Sequence, residues 1–328
     1  NSRKKLEISS LIYLCLINKK MDYKKFLSKL FKSREEYKFL KRVDRFKKDK
    51  EIYENKYKNI LNETYNNIKN KKTLNFLHSG HCGDLIYSLA TIKDLSKNHT
   101  CNFYINVNKK NFQSFDISTS YKNHPSGDVY ISEKMSNIFL PLLKNQKYLN
   151  KVEKYSDQAV DVNLDLFREL PINLCFNSPR WYFHITGSQV DLSKPYLDVS
   201  EHSTIKDKII IHRTFRYRNN FINYKFLNNF DNLLFVGMKN EYDDLKKDIP
   251  NLEIYDCRDF LEMAQIIKSS KLFIGNMSVA YPIAEALKVP RLLEGCPYFP
   301  IVQPIGENAY DFYFQEHFEN YFKILNHK

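Results

Sequence analysis

From Thr73 onward, short apolar runs alternate with stretches whose apolar residues recur at helical spacing, a texture that restricts the fold to βαβ units on parallel sheets. A first series places strands at Thr73–His78, Asn102–Val107, Asp128–Ile131 and Ala159–Leu164, with a helix over Leu85–Leu95. A second series starts near Lys208. It places strands at Ile209–His212, Asn232–Gly237, Leu252–Tyr255, Lys271–Gly275 and Arg291–Glu294, with helices around Asn240–Lys247, Asp259–Ser269 and Val279–Leu287. The halves match in architecture and not in sequence, and the chain passes between them in Pro195–Lys206. A length of 328 residues suits two such domains, each able to bury its own core. The expected organisation is a helical extension over 1–72, Rossmann-like α/β domains over 73–200 and 201–310, and a closing helix over 311–328.

The extension holds all of the excess charge. Residues 1–72 carry 22 Lys and Arg against 9 Asp and Glu, whereas the rest of the chain carries 29 of each, so the formal +13 belongs to the arm. Between Asp22 and Asn70 there is no Gly or Pro, and apolar residues recur at helical spacing through Phe26, Leu30, Leu40, Val43, Tyr57, Ile60 and Ile68. Long basic helices are the reading. They serve either as a contact with anionic lipid at the inner face of a membrane or as a solvated extension lying on the chain's own body. The apolar segment Leu11–Ile17 is too short to span a bilayer. Residues 1–20, which precede a candidate start at Met21, are set aside as an over-extension or a fragment's edge. No zinc-finger spacing and no aromatic RNA-reading strand occurs, so nucleic acid is not an expected partner. The six cysteines form no CxxC pair and no cluster with His, which fits reduced thiols in a cytoplasmic protein and predicts no metal site.

Three strand-to-helix turns carry the chemistry. The first, His78-Ser79-Gly80-His81-Cys82-Gly83-Asp84, pairs two glycines with a helix start suited to a sugar or phosphate, and lacks both the G-x-G-x-x-G spacing and a P-loop Lys. In the second, the strand Ile209–His212 runs into Arg213, Thr214, Arg216 and Arg218, three guanidinium groups and a hydroxyl placed where open α/β sheets bind ligands; they either grip a pyrophosphate or form a basic surface loop. The third runs Gly275-Asn276-Met277-Ser278 into a helix bearing Pro282 in its first turn, and offers Ser278 as a further phosphate contact or as a plain helix cap. Glu294, at a strand end, reads either as an acceptor for a ribose or as a surface carboxylate. Trp181, Tyr182 and His184 could stack on a sugar or fill a core, and His78 and His81 could assist binding.

Taken in order, these stretches resemble the ADP-heptose:lipopolysaccharide heptosyltransferases, glycosyltransferase family nine. His81–Leu95 is similar to the family's Gly-Asp opening, Asp157–Leu170 to its "D-x-x-I-D-L" strand, Leu234–Gly237 with Glu241 to its "L-x-G-G-x-x-E" turn, and residues 275–290 to its "G-N-D-S-G" segment. The resemblance covers about residues 73–305. It implies a GT-B fold in which two Rossmann-like domains face a central cleft, the first for the acceptor, the second for the donor, with a closing helix that often crosses back onto the first. It also implies inverting, metal-independent transfer with no cofactor beyond the donor substrate. Asp84 takes the family's general-base position, Gly80, His81, Gly83 and Asp161 lie on the acceptor side, and Arg213, Thr214, Arg216, Arg218, Gly237, Gly275, Asn276, Ser278 and Glu294 lie on the donor side. Met277, Val279, Pro282 and Ala90 depart from the family's Asp, Gly, His and Pro, which points to a donor other than ADP-heptose. The expected partners are a nucleotide sugar and a glycan or lipid-linked acceptor. The alternatives are a non-catalytic nucleotide-sugar-binding or scaffold protein on a degenerate GT-B fold and, ranked last, a methyltransferase, whose ribose-holding acid is replaced by Asn106 and Asn108.

Overall fold

The computed structural model describes residues 34–111, 125–172 and 175–327. The readings made for residues 1–20 and for Phe26, Leu30 and the rest of the arm's start lie outside the described residues. Contacts divide the chain into a unit ending at Ile60 and one beginning at Leu61. The first holds α1 (Arg34–Ile52) and a π-helical turn, Tyr53–Tyr57, and α2 (Lys58–Asn70) runs on from that turn with most of its residues in the second.

The second unit contains both sheets, and every named strand pair in them is parallel. The first sheet has the order β3-β2-β1-β4, from β1 (Thr73–His78), β2 (Thr100–Ile105), β3 (Leu149–Lys154) and β4 (Val162–Asn163). Helices α3 (Cys82–Leu95) and α4 (Glu133–Lys144) connect them, and α5 (Arg180–Thr186) follows. The second sheet has the order β10-β9-β8-β5-β6-β7, from β5 (Ile209–His212), β6 (Leu233–Val236), β7 (Glu253–Tyr255), β8 (Leu272–Asn276), β9 (Arg291–Glu294) and β10 (Ala309–Phe312). Its helices are α6 (Lys239–Leu245), α7 (Phe260–Lys268), α8 (Ala280–Leu287) and α9 (Gln315–Asn326). Strands β5, β6, β8 and β9 are buried throughout, as a parallel sheet covered on both faces requires, and this is why they read as unbroken apolar runs. Strand order reverses beside β1 in the first sheet and between β5 and β8 in the second, and crevices beyond the carboxyl ends of such strands are where ligands of α/β sheets bind.

The α/β architecture with two parallel sheets expected from the sequence is the one observed, with local differences. Asp128–Ile131 forms no strand beyond a single antiparallel bridge, Lys110 to Val129, because Gly127 turns the chain in the left-handed region just before it. The expected Ala159–Leu164 strand shrinks to β4, since Asn163 Oδ1 accepts from Asp165 N (3.0 Å) and starts a 3-10 turn over Leu164–Arg168. Strand β3 was missed because its Lys- and Glu-rich sequence reads as polar, which suits an edge strand. The closing segment also differs. Its first aromatic residues form edge strand β10, and α9 stays on the second half, where Phe318, Phe322 and Leu325 enter the core made by Ile209, Leu227 and Phe235.

The halves meet through α3 against α8 and α4 against α7, where the Phe139 and Phe260 rings stand edge to face at 5.7 Å. The connection between them has no regular element over residues 187–208 and is strapped to both sides. Asp198 N donates to Gln146 Oε1 (2.8 Å), and Tyr196 N to Ala286 O of α8 (3.0 Å).

Phe318 stacks on Phe312 at 4.1 Å and tilts against Tyr224 at 4.9 Å. Phe318→Ala should therefore cost roughly 3–5 kcal/mol in urea unfolding. A cost under about 1 kcal/mol, the range of a surface change, would remove α9 from the second core.

Candidate functional site

A cavity of about 1040 Å³ opens where the two sheets' carboxyl ends face each other. Its first wall is the turn after β1, with His81, Cys82, Gly83 and Asp84, joined by Tyr87 and Tyr130. The second wall is built from His212, Thr214, Phe215 and Arg216 after β5, Gly237 and Glu241 after β6, and Met277 and Ser278 after β8. The cavity thus sits at the point of strand-order reversal in the second sheet.

Asp84 is the third residue of α3. Its Oδ2 accepts from His81 N (3.2 Å) and from Arg168 Nη2 (2.7 Å), while Oδ1 has no hydrogen bond among the described residues. One carboxylate oxygen is thereby held and the other left to act as an acceptor. Arg168 is itself clamped over the rings of Phe167 and Tyr130, at 4.1 and 4.4 Å. Beneath them lies Asp165, which accepts from Ser79 N (2.9 Å), Lys109 Nζ (2.9 Å) and Arg168 Nη1 (3.1 Å), and also from Ser79 Oγ. Burial alone would raise the Asp165 carboxyl, but the Arg168 charge and the Ser79 donors hold it far below the usual carboxylate range. Gly80 is required by crowding: a Cβ there would stand 2.5 Å from the His78 ring and 2.7 Å from Arg168. His78 is buried, with Nδ1 accepting from Gly80 N (2.9 Å), so Nε2 carries the proton toward the Tyr182 hydroxyl (2.8 Å), which in turn donates to Asp84 O (2.8 Å). His81 Nδ1 donates to Tyr130 O (2.8 Å), and burial lowers the pKa of its ring.

The structure divides the residues expected from sequence. Asp84, His81, Gly83, Thr214, Arg216, Gly237 and Ser278 line the cavity. Arg213 and Glu294 do not. They form a buried ion pair (Nε to Oε2 2.7 Å, Nη2 to Oε1 3.0 Å), and Glu294 also accepts from Asn219 N (2.6 Å) and the Tyr224 hydroxyl (3.0 Å). Neither group is available to a phosphate or a ribose. Arg218 pairs with Asp244 (2.5 Å) and stacks on Phe215 (4.3 Å), turned toward α6. Asn276 is fully buried and braces the β5 turn, donating to Thr214 O (2.8 Å) and accepting from Thr214 N (3.2 Å), while Gly275 lies within β8 opposite His212. Asp161 belongs to the other end of β1, held by Lys71 (2.5 Å) and Asn75 N (2.8 Å). Trp181 stacks on Phe167 (4.9 Å) in the core, Tyr182 is buried behind Asp84, and His184 packs on Phe176; none of the three lines the cavity.

Arg216 is thus the cation of the β5 turn that faces the cavity. Its Nη2 donates to Ser278 Oγ (3.4 Å), and its Nη1 has no partner among the described residues. With Ser278 and the Thr214 hydroxyl, which here donates at 3.3 Å to Asn276 Oδ1 and can rotate toward a ligand, it forms a donor cluster fit for an anion. Sequence reasoning missed Arg168, His212 and Glu241 as site residues. The available signal was position: each follows the carboxyl end of a strand or closes one. Among the described residues no three His, Cys, Asp or Glu side chains gather as a metal-ligand set, and no helix is long and apolar enough to cross a membrane.

No protein-family model matches the chain, and no curated protein does. Among solved structures the chain is similar to a glycosyl transferase of family 9 from Veillonella parvula, at 10% identity and a TM-score of 0.46, over 78% of this chain and 89% of that one. It is also similar to E. coli ADP-heptose lipopolysaccharide heptosyltransferase II, at 10% identity and a TM-score of 0.45, over 78% and 98%. A third similar structure, E. coli heptosyltransferase WaaC with ADP-2-deoxy-2-fluoro heptose, shows 10% identity and a TM-score of 0.41 over 73% and 92%.

The two arginines should separate experimentally. Arg213→Met leaves Glu294 buried without its counter-ion and is expected to cost about 3–5 kcal/mol in urea unfolding. Arg216→Met is expected to hold stability within about 1 kcal/mol and to weaken inorganic pyrophosphate binding roughly tenfold or more in calorimetry. The reverse pattern would refute the assignment.

Proposed function

We propose that the chain is a glycosyltransferase that moves a sugar from a nucleoside-diphosphate sugar to a hydroxyl of a glycan or lipid-linked acceptor. One observation carries the reading: Asp84 on the first half and the Arg216, Thr214 and Ser278 donors on the second line a single cavity. The ordered motif resemblance over about residues 73–305 agrees with it. In the proposed reaction, Asp84 Oδ1 takes the proton of the acceptor hydroxyl as that oxygen attacks the anomeric carbon. The bond to the diphosphate breaks on the opposite side, and Arg216, Thr214 and Ser278 take up the charge of the leaving group. A base and a leaving-group clamp on facing walls suit a single displacement with inversion. Arg168 and the His81 N–H hold the carboxylate in its orientation.

The second reading, a nucleotide-sugar-binding protein without catalysis, is favoured by Met277, which lines the cavity where the resembled family carries an acid. Both readings predict binding, so released nucleoside diphosphate in the presence of acceptor decides between them. Asp84→Asn is expected to lower turnover roughly 10²–10⁴-fold while donor affinity changes little. Unchanged turnover in that variant removes Asp84 as the base, and no acceptor-dependent release from the wild type favours the binding protein.

The arm is proposed as a contact with anionic membrane. Helix α1 exposes Phe39 (58%) and Phe46 (72%) one heptad apart among Lys38, Arg42, Arg45 and Lys50, the pattern of an interfacial basic helix. Co-sedimentation with vesicles containing phosphatidylserine should fall steeply as salt rises from about 0.05 to 0.5 M. Salt-independent binding, or none, would contradict a lipid role.

A further inference from the structure

His212 closes β5, whose neighbours in the sheet are β6 and β8, at the reversal of strand order. The residue is 4% exposed and lines the cavity. Nδ1 lies 2.7 Å from Val236 O, and since a carbonyl only accepts, Nδ1 carries the proton. Nε2 is left as a buried lone pair to which no described group donates. A second proton is strongly disfavoured: burial pushes the imidazole down to about 4, and the neighbouring Arg216 charge pushes the same way. The ring is therefore a neutral acceptor at physiological pH.

A buried acceptor left unmet is costly, and a phosphate oxygen, itself only an acceptor, cannot meet it. Glu241 repeats the pattern nearby. Its Oε1 accepts from Phe215 N (3.2 Å), Oε2 has no described donor, and burial raises the pKa of the carboxyl. The second wall thus sorts into hydrogen-bond donors (Arg216, Thr214, Ser278) and acceptors (His212, Glu241). An anion satisfies the first set alone; the second calls for O–H groups attached to that anion. We propose that His212 is a specificity-determining residue whose Nε2 accepts a hydrogen bond from a hydroxyl of the bound nucleotide sugar. The proposal rests on reading the cavity as a nucleotide-sugar site. The hydroxyl belongs either to the ribose or to the transferred sugar, which share this chemistry.

Calorimetric Kd values for the wild type, His212→Phe and His212→Gln test it, with inorganic pyrophosphate, ADP, UDP and GDP, their 2′- and 3′-deoxy forms, and the corresponding glucose and mannose nucleotides as probes. His212→Phe is expected to weaken the best-bound hydroxyl-bearing probe by about 10–100-fold, to leave pyrophosphate unchanged, and to be partly rescued by the Gln oxygen. Equal weakening of nucleoside diphosphate and nucleotide sugar, with loss of discrimination against a deoxy form, assigns the ribose. Weakening confined to the nucleotide sugar assigns the sugar. Equal weakening of pyrophosphate shows a general structural effect and overturns the proposal, as do unchanged Kd values throughout. A wild type that binds pyrophosphate but discriminates no hydroxyl-bearing probe from it overturns the nucleotide-sugar reading itself, and the proposal with it.

Discussion

The second wall of the cavity depends on a buried ion pair. Arg213 and Glu294 lie in the second half with almost no exposure, and neither charge could remain there alone. Their pairing ties the start of the β5 turn to the end of β9, and Tyr224 adds a hydroxyl to Glu294 and a ring face to Arg213 at 4.5 Å. With that end of the turn fixed, and with Asn276 bridging to Thr214 from β8, the chain has little freedom over the next few residues. Arg216 then reaches the cavity while Arg218 turns away to Asp244. A loop with three arginines thus divides its cations between structure and ligand, and burial decides which does which.

The first wall, which bears Asp84, is held by the same device in a different place. Asp165 collects Ser79, Lys109 and Arg168 around one buried carboxylate, and Arg168 carries that order on to Asp84. Behind it, His78 and Tyr182 form a relay of hydrogen bonds ending on the Asp84 carbonyl. A buried polar network that is fully satisfied rigidifies what it touches, and here it touches both the backbone and the side chain of the proposed base. The placement of a reacting group is the part of catalysis that tolerates least error, and under the proposed reaction these costly buried charges serve that placement as well as stability.

The sequence made the architecture legible because its central strands are buried on both faces and read as plain apolar runs, Ile209–His212 above all. It hid β3 and β10, edge strands whose polar residues face solvent. In the site, the turns were legible and the roles of individual side chains less so. Arg213 and Arg216 are three residues apart in one basic loop, and nothing in their order says that the first meets a buried Glu294 from a strand 81 residues later. Arg168 and His212 escaped notice for the converse reason: each looks ordinary until a distant partner, Asp84 for one and Val236 O for the other, fixes its orientation. Spacing along a chain reports local geometry, whereas these roles are set by long-range contacts.

The distance between the walls is governed by how α3 and α8 pack. Gly83 directly precedes Asp84, and a Cβ on it would stand 3.2 Å from Pro282 Cγ, so the two helices approach as closely as a glycine against a proline ring permits. Pro282 lies in the first turn of α8, four residues beyond Ser278, where its missing N–H costs nothing. One contact therefore spaces the residue after Gly83, which holds the carboxylate, from the turn before α8, which holds the Ser278 hydroxyl. The departure of Pro282 from the resembled family's His then has a steric content: it exchanges a polar group at the seam for a rigid spacer. A rigid seam transmits any repacking of α3 against α8 directly into the separation of Asp84 and Ser278, which makes the breadth of this cavity a property of helix packing more than of the side chains that line it.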